Sequence, residues 1–201
     1  MRVFPYGETE VQYLSSRDPL LGQAIARIGR IERPLEPDLF AALASGIVSQ
    51  QVSKKAAATV WKRMQARFGA ITATTLCEAG LEELQQCGLS WRKAGCILNA
   101  ARAVAYGELD LEALPELDDE EVIRRLTALP GIGLWTAEMI LIFSLQRPDI
   151  LSWGDLAIRR GMAKLYGEHP VNREMFERHR RCYSPYGSVA SLYLWRIAVE
   201  E

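Results

Sequence analysis

Apolar residues recur along the chain at the three- and four-residue spacing of an α-helix. In residues 18–30 the apolar positions 20, 21, 24, 25 and 28 fall on one helical face. The same spacing predicts helices over residues 38–51, 53–68, 91–106, 118–127, 135–146, 155–166, 173–181 and 185–199, with two short helices between 74 and 87. Strand signals are weak and confined to the first dozen residues. The pattern therefore predicts an all-α fold.

Some predicted helices begin with recognisable capping residues. Asp118 with Glu121 three residues later is a capping-box pattern, and Ser184-Pro185 suits an N-cap followed by the first helical position. The helix over residues 135–146 differs from the others because it is apolar on nearly every side. We expect such a helix to be central and buried.

Length and composition exclude several classes of protein. The chain has 201 residues, of which 49% are hydrophobic and 24% are charged, an ordinary globular composition. This length suits one large domain or two small lobes. No apolar run approaches the roughly 20 residues that cross a bilayer, and the N-terminus has no apolar signal-peptide region. We expect no membrane contact and a reduced cytoplasmic location, or a nuclear one in a eukaryote.

The cysteines do not form a metal-binding pattern. They lie at positions 77, 87, 96 and 182, and the two histidines lie at 169 and 179. There is no C-x2-C pair, and a zinc site needs closer ligand spacing than this. We expect four free thiols.

The overall charge conceals an uneven distribution. The chain has 24 basic and 25 acidic residues, which argues against a protein that binds nucleic acid through excess positive charge. However, residues 108–121 contain eight acidic residues and no basic one, so the rest of the chain is basic. Only five of the basic residues are lysines, at 54, 55, 62, 93 and 164.

The segment 129–137, Leu-Pro-Gly-Ile-Gly-Leu-Trp-Thr-Ala, joins two predicted helices. Gly131 and Gly133 allow a tight turn and a close approach of the backbone to another molecule. The helix that follows presents free N–H groups and a positive dipole end, so this turn can hold a phosphate without a basic side chain. From spacing alone, an ordinary turn with a glycine cap is also compatible.

This segment resembles the helix-hairpin-helix of the DNA glycosylase superfamily, whose motif ends with a Gly/Pro-rich sequence and an aspartate. The resemblance extends over about residues 17–199. Residues 47–53 resemble the segment that these enzymes insert into the DNA stack, residues 152–160 the segment with the catalytic aspartate, and residues 183–195 the last helix. The chain is most similar to the 3-methyladenine DNA glycosylase II branch, which repairs alkylated DNA.

The resemblance implies a two-lobed fold with the active site in the cleft between the lobes. We expect residues 1–16 to be an extension and 17–201 the glycosylase core. Within the core, lobe one would span about 38–126. Lobe two would combine 17–37 with 127–201, including the hairpin 127–136. The expected partner is duplex DNA with a damaged base, bound by a monomer.

Asp155 is the expected catalytic residue. By itself, an aspartate between a glycine and an apolar helix is most often an N-cap. Capping is compatible with catalysis, because the cap fixes the carboxylate at the positive end of the helix. A fixed anion beside the sugar stabilises the oxocarbenium-like transition state of glycosidic cleavage and can orient the attacking water.

The resemblance also assigns residues to base and DNA binding. An alkylated base is cationic and must leave the stack, so aromatic side chains are expected around it. The candidates for this pocket are Trp135, Trp195, Met139, Tyr186 and Trp153. Gln51, with Gln50 beside it, is expected to fill the vacated space. The expected phosphate contacts are Gly131, Gly133, Thr136, Arg92 and Lys93; a solvated helix face explains the last two equally well.

The family comparison also predicts the reaction type and the cofactors. Bifunctional relatives carry a lysine two residues after the second glycine of the hairpin. This chain has Trp135 at that position, so we expect hydrolysis without strand cleavage. Only Cys182 lies where some relatives bind an iron–sulfur cluster, so we expect no cluster and no organic cofactor. The carbonyls of Thr127, Leu129 and Ile132 match those that hold a Na+ or K+ ion. The rival functions are a glycosylase for uracil, hypoxanthine or oxidised purines, and a non-catalytic DNA-binding module.

Overall fold

The computed structural model describes residues 2–200, and these residues confirm the all-α class. They form eleven α-helices, one short 3-10 turn at Leu114–Glu116 and an isolated antiparallel bridge between Val3 and Pro34. The helices are α1 Glu8–Arg17, α2 Pro19–Ile28, α3 Leu39–Ser49, α4 Lys54–Phe68, α5 Ala73–Gln86, α6 Trp91–Ala105, α7 Asp119–Thr127, α8 Leu134–Phe143, α9 Leu156–Tyr166, α10 Arg173–Tyr183 and α11 Gly187–Ala198.

Helix α7 begins with the predicted cap. The Asp118 carboxylate accepts a hydrogen bond from the Glu121 amide at 2.7 Å and caps α7. The two short helices predicted between 74 and 87 are the two parts of α5, which is interrupted at Gly80, where φ is 77°. The predicted central helix is α8; its residues Ala137, Ile140, Leu141 and Ile142 are buried, whereas Leu134 and Trp135 at its start are exposed.

The prediction that the first dozen residues could be extended is wrong from Glu8 onward, because residues 8–17 form the helix α1. Val3 pairs with Pro34 in the isolated bridge. The pattern did not reveal α1 because Leu14 is its one fully buried side chain. Long-range contacts hold α1 in place. The Tyr13 hydroxyl donates to the carbonyl of Ser184 at 2.6 Å.

The predicted start of α11 is also wrong. Ser184 follows the end of α10, and α11 begins at Gly187. The Ser184 hydroxyl donates to Asp149 Oδ2 at 2.5 Å, and the Gly187 amide donates to Asp149 Oδ1 at 3.0 Å. The acceptor at this helix start therefore comes from Asp149, which lies 38 residues earlier in the chain than Gly187. A local capping rule does not include such a residue.

The chain divides into two compact units. One combines the residues up to Leu35 with those from Leu141 onward, and the other is Glu36–Ile140. The hairpin 127–136 thus belongs with α3 to α7, whereas the sequence grouped it with the C-terminal helices. Close packing within Glu36–Ile140 explains the difference. A Cβ atom on Gly46 of α3 would lie 3.0 Å from Thr136 Cγ2, and one on Gly131 would lie 2.7 Å from Cys96 Sγ of α6.

A polar cluster joins α2, α9 and α10 within the other unit. Asp18 caps α2 by accepting from the Leu21 amide, and its second oxygen accepts from the Tyr166 hydroxyl at 2.5 Å. His179 Nδ1 lies 3.4 Å from the same oxygen. Burial raises the pKa of Asp18, but these hydrogen bonds outweigh burial and hold the pKa below its ordinary value. Over residues 2–200, no helix is long and apolar enough to cross a membrane.

Candidate active site

Asp155 lies at the N-terminus of α9, and both of its carboxylate oxygens are held. Oδ1 accepts hydrogen bonds from the amides of Ala157 at 2.8 Å and Ile158 at 3.0 Å. Oδ2 accepts from Trp195 Nε1 at 3.1 Å. Only 7% of Asp155 is exposed. The carboxylate is therefore a fixed anion at the positive end of a helix, with an orientation set by three donors.

Trp195 reaches Asp155 because α9 and α11 approach each other closely. Gly161, in the middle of α9, provides this approach. A Cβ atom at this position would lie 2.1 Å from the carbonyl oxygen of Leu194, the residue before Trp195. A side chain of any size at Gly161 would push the two backbones apart. The bare backbone at Gly161 therefore sets the position of the indole relative to the carboxylate.

Two further side chains extend this site. The Phe143 ring lies 5.6 Å from the Trp195 ring, measured between centroids, at an interplanar angle of 30°. The Arg33 guanidinium lies 5.1 Å from the centroid of Phe143. The sequence pattern marks neither residue, because a phenylalanine at the end of an apolar helix has the pattern of a core residue. Arg33 lies in a loop without a motif. The structure thus adds Phe143 as an aromatic neighbour of Trp195, which contacts Asp155.

Two predicted pocket residues have other partners in the same unit. The Trp153 ring packs edge-on against Phe176, and the guanidinium groups of Arg159 and Arg173 lie 5.0 and 5.1 Å from its centroid. The Tyr186 ring packs edge-on against Tyr13 of α1, with 5.1 Å between centroids. These contacts use part of each ring, and both side chains are half-buried. Their role in the pocket stays a prediction.

In the Glu36–Ile140 unit, the hairpin forms as the sequence predicts. α7 ends at Thr127, the Ile132 amide donates to the Leu129 carbonyl at 3.1 Å, and α8 begins at Leu134. The side chains of Leu129 and Ile132 are buried, whereas Gly131 and Gly133 are exposed. Two buried side chains therefore anchor a turn whose glycine backbone faces outward, as a phosphate contact requires.

Replacing Gly131 with alanine is expected to weaken DNA binding. Its φ of 87° disfavours any L-residue, at a cost of about 1–2 kcal/mol, and the new Cβ would meet Cys96 Sγ at 2.7 Å. We expect a larger dissociation constant for duplex DNA, measured by fluorescence anisotropy, while the protein stays folded. Gly107→Ala is the control, since its φ is 77° with no atom within 4 Å of a Cβ. Cys96→Ala removes Sγ but keeps the Cβ atom, which would lie 2.9 Å from the new Cβ, so it should rescue Gly131→Ala only in part. No rescue at all would show that the contact with Sγ does not cause the loss.

The other predicted hairpin residues differ in exposure. Trp135 is 39% exposed at the start of α8. Thr136 is buried, with its methyl group near Gly46, and Met139, one turn beyond Trp135, is half-buried. Trp135 is therefore the candidate of this helix that has the most surface available for contact with a ligand.

The two glutamines in the segment between α3 and α4 have different surroundings. The Gln50 side chain donates to the Gly131 carbonyl at 2.7 Å. Gln51 is exposed and has a φ of 54°, in the left-handed region. Gln50 therefore ties this segment to the hairpin, whereas the Gln51 side chain is exposed at the tip, where the sequence predicts the residue that enters DNA.

Lys93 does not have the position predicted for a phosphate contact. Its ammonium donates to the carbonyls of Val48 at 2.8 Å and Gln50 at 2.5 Å, at the end of α3. The adjacent Arg92 is exposed and stays a candidate for a phosphate contact. Among the described residues, no group of three or more His, Cys, Asp or Glu side chains could hold a metal ion.

The structure has two features of a helix-hairpin-helix repair protein. One is a helical hairpin whose glycine turn faces outward, and the other is an aspartate that caps a later helix. Residues 44–185 match the HhH-GPD superfamily of base excision DNA repair proteins. The match covers more than half of the chain, which therefore belongs to this superfamily.

Named relatives fall in the branch expected from the sequence. The chain is 32% identical over 194 residues to DNA-3-methyladenine glycosylase 1 of Schizosaccharomyces pombe, covering 92% of this chain and 84% of that protein. It is 24% identical to DNA-3-methyladenine glycosylase 2 of Escherichia coli, covering 90% of this chain and 67% of that protein.

Solved structures agree with this placement. A DNA-3-methyladenine glycosidase from Bacillus halodurans is 38% identical, with a TM-score of 0.88, covering 99% of this chain and 93% of that chain. The S. pombe 3-methyladenine DNA glycosylase, solved in complex with abasic DNA, is 30% identical, with a TM-score of 0.84, covering 94% and 96%.

Proposed function

We propose that this protein is a monofunctional DNA glycosylase for alkylated bases of the 3-methyladenine and 7-methylguanine type. It would flip the damaged base out of duplex DNA, hydrolyse the glycosidic bond and leave an abasic site. One observation carries the proposal. The Asp155 carboxylate is held at both oxygens by two amides and by the Trp195 indole.

The geometry around Asp155 supports a hydrolytic mechanism. Cleavage of the bond between base and sugar develops positive charge on the sugar. A carboxylate that is already oriented stabilises that charge without reorganisation during the reaction. Asp155 also has the chemistry to orient a water molecule for attack. Trp195 contacts the carboxylate, and Phe143 lies against Trp195, so the two rings supply aromatic surface at this site. Aromatic faces attract a cationic base.

The lysines nearest in sequence to the hairpin and Asp155 support a reaction without strand cleavage. A lyase step needs a free amine that forms a Schiff base with the sugar. Trp135 occupies the position where bifunctional relatives carry this lysine. The Lys93 ammonium is bound to two carbonyls of the α3 end, and Lys164 donates to the carbonyl of Glu200.

A monovalent ion at the hairpin is part of the proposal. The carbonyls of Thr127, Leu129 and Ile132 are uncharged hard oxygen donors, which suit Na+ or K+. The Leu129 carbonyl accepts one hydrogen bond, from the Ile132 amide, and has a second lone pair. The ion would add positive charge where the hairpin meets a phosphate. We further propose that the protein acts as a monomer, in the cytoplasm or in a eukaryotic nucleus.

A panel of duplexes with single lesions tests this function. We expect release of 3-methyladenine or 7-methylguanine, an intact abasic strand and no covalent adduct with borohydride. The panel also includes uracil, hypoxanthine and 8-oxoguanine. If the protein releases only one of these three bases, that base is its substrate and the proposed specificity for alkylated bases is wrong. A borohydride-trapped complex would contradict the monofunctional mechanism, and binding without any base release would indicate a non-catalytic module.

A further inference from the structure

The tip between α3 and α4 has an unfavourable backbone conformation. Gln51 is exposed and adopts a φ of 54°, which an L-residue other than asparagine or aspartate seldom adopts. Such a conformation persists only where the surrounding structure determines it. The Gln51 side chain is exposed to solvent, so the restraint has to come from its neighbours in the chain.

The hydrogen bonds that restrain this tip come from distant residues. The Lys93 ammonium of α6 donates to the carbonyls of Val48 and Gln50. These two bonds fix the residues immediately before Gln51. The Gln50 amide group binds the Gly131 carbonyl in the hairpin. On the other side, the Ser53 hydroxyl accepts from the Ala56 amide and starts α4. The tip is therefore held on both sides, and on one side it is tied directly to the phosphate-binding turn.

The charge of Lys93 is used inside the protein. Its two acceptors lie at the C-terminal end of α3, where the helix dipole is negative and a cation is favoured. Burial lowers the pKa of Lys93, consistent with an ammonium that is partly removed from water. A lysine that contacts phosphate would instead extend a mobile, solvated ammonium from the surface.

We propose that Lys93 and Gln50 form a clamp that positions Gln51 to fill the space left by the flipped base. The inference rests on the proposed function, since a flipped base requires DNA glycosylase activity. Lys93 is a positioning residue that acts through Gln51 and does not touch the substrate. Through Gln50, the clamp also links the insertion of Gln51 to the seating of the hairpin on a phosphate.

The experiment compares Lys93→Met with Arg102→Met in the full chain. Arg102 is exposed on the same helix, nine residues further on, which places it on about the opposite face. Both variants lose one positive charge. Single-turnover release of 7-methylguanine is measured from a duplex and from a single strand. In the single strand there is no opposite base that loses its partner, so no space in a duplex has to be filled. Because a small misplacement lowers a rate strongly, we expect Lys93→Met to be about 10- to 100-fold slower on the duplex. On the single strand, we expect a rate within about 3-fold of wild type.

A second readout does not depend on activity. A duplex with an abasic-site analogue beside 2-aminopurine reports insertion through increased fluorescence, which Lys93→Met should reduce and Arg102→Met should leave unchanged. The double variant Gln51→Ala/Lys93→Met should be no slower than Gln51→Ala alone, because both changes remove the same interaction.

Three results would overturn the clamp: an equal loss on duplex and single strand, a loss in the double variant that is the sum of both, or normal 2-aminopurine fluorescence. A salt slope reduced by about one with an unchanged saturated rate would show a phosphate contact instead. If wild type releases no base from either substrate, the proposed function fails, and the fluorescence still tests the clamp.

Discussion

Asp155→Asn is expected to lower the single-turnover rate of base release by at least about 10²- to 10³-fold, with DNA binding retained. The loss of one oriented electrostatic group commonly has an effect of this size. Asparagine caps helices as well as aspartate does, so α9 should still begin at the same residue. The variant therefore removes the negative charge and leaves the helix. Its amide nitrogen, however, would face Trp195 Nε1, where a carboxylate oxygen now accepts a hydrogen bond.

Asp38→Asn is the matched control for this prediction. Asp38 caps α3 by accepting from the Ala41 amide at 2.9 Å, so it performs the same structural task at an exposed site. We expect its rate of base release to equal that of wild type. Release is measured on a duplex with one alkylated base, and binding on an abasic-site analogue. Unchanged release by Asp155→Asn would show that this carboxylate is only a helix cap.

Gly161→Ala is expected to lower the free energy of unfolding by about 3 kcal/mol, the upper end for overpacking a core. The added Cβ would lie 2.1 Å from the Leu194 carbonyl oxygen, so the backbones of α9 and α11 have to separate. This separation would also break the Trp195 hydrogen bond to Asp155, and base release should fall in the protein that stays folded. Urea denaturation measures the first effect, and single-turnover kinetics the second.

Gly95→Ala is the control, because it makes the same substitution where no other atom would contact the added Cβ. Gly95 lies inside α6, and no atom lies within 4 Å of a Cβ at this position. Because alanine favours a helix over glycine, we expect Gly95→Ala to be more stable by about 0.5–1 kcal/mol. Equal stability changes in Gly161→Ala and Gly95→Ala would contradict the close packing of α9 on α11.

Local patterns in the sequence account for much of the fold. Periodic apolar residues predicted α2 to α11 in the correct order, with α5 as two short helices, and Asp118 correctly marked the start of α7. The pattern missed α1, where apolar positions are sparse and the stabilising contacts are with distant residues such as Ser184. It also misplaced the start of α11, because the acceptor at that helix start comes from Asp149.

The candidate site shows the same division between local and distant information. The sequence singled out Asp155 and the glycines of the hairpin, because a cap and a turn depend on adjacent residues. The family resemblance placed Trp195 ahead of Trp153 in the pocket, but no local pattern showed that Trp195 contacts Asp155 or that Trp153 packs against Phe176. Both are tryptophans near a motif, and only their surroundings differ.

The sequence by itself determined the helical class, the hairpin and the aspartate at a helix start, since these follow from hydrogen bonds and periodicities within a few residues. Only the tertiary structure decided which side chains meet. Trp195 and Asp155 are 40 residues apart, Lys93 and Gln50 are 43, and Gln50 and Gly131 are 81. No local spacing encodes such pairs. They form because helix packing, with close approaches at glycines such as Gly161, brings distant donors and acceptors together.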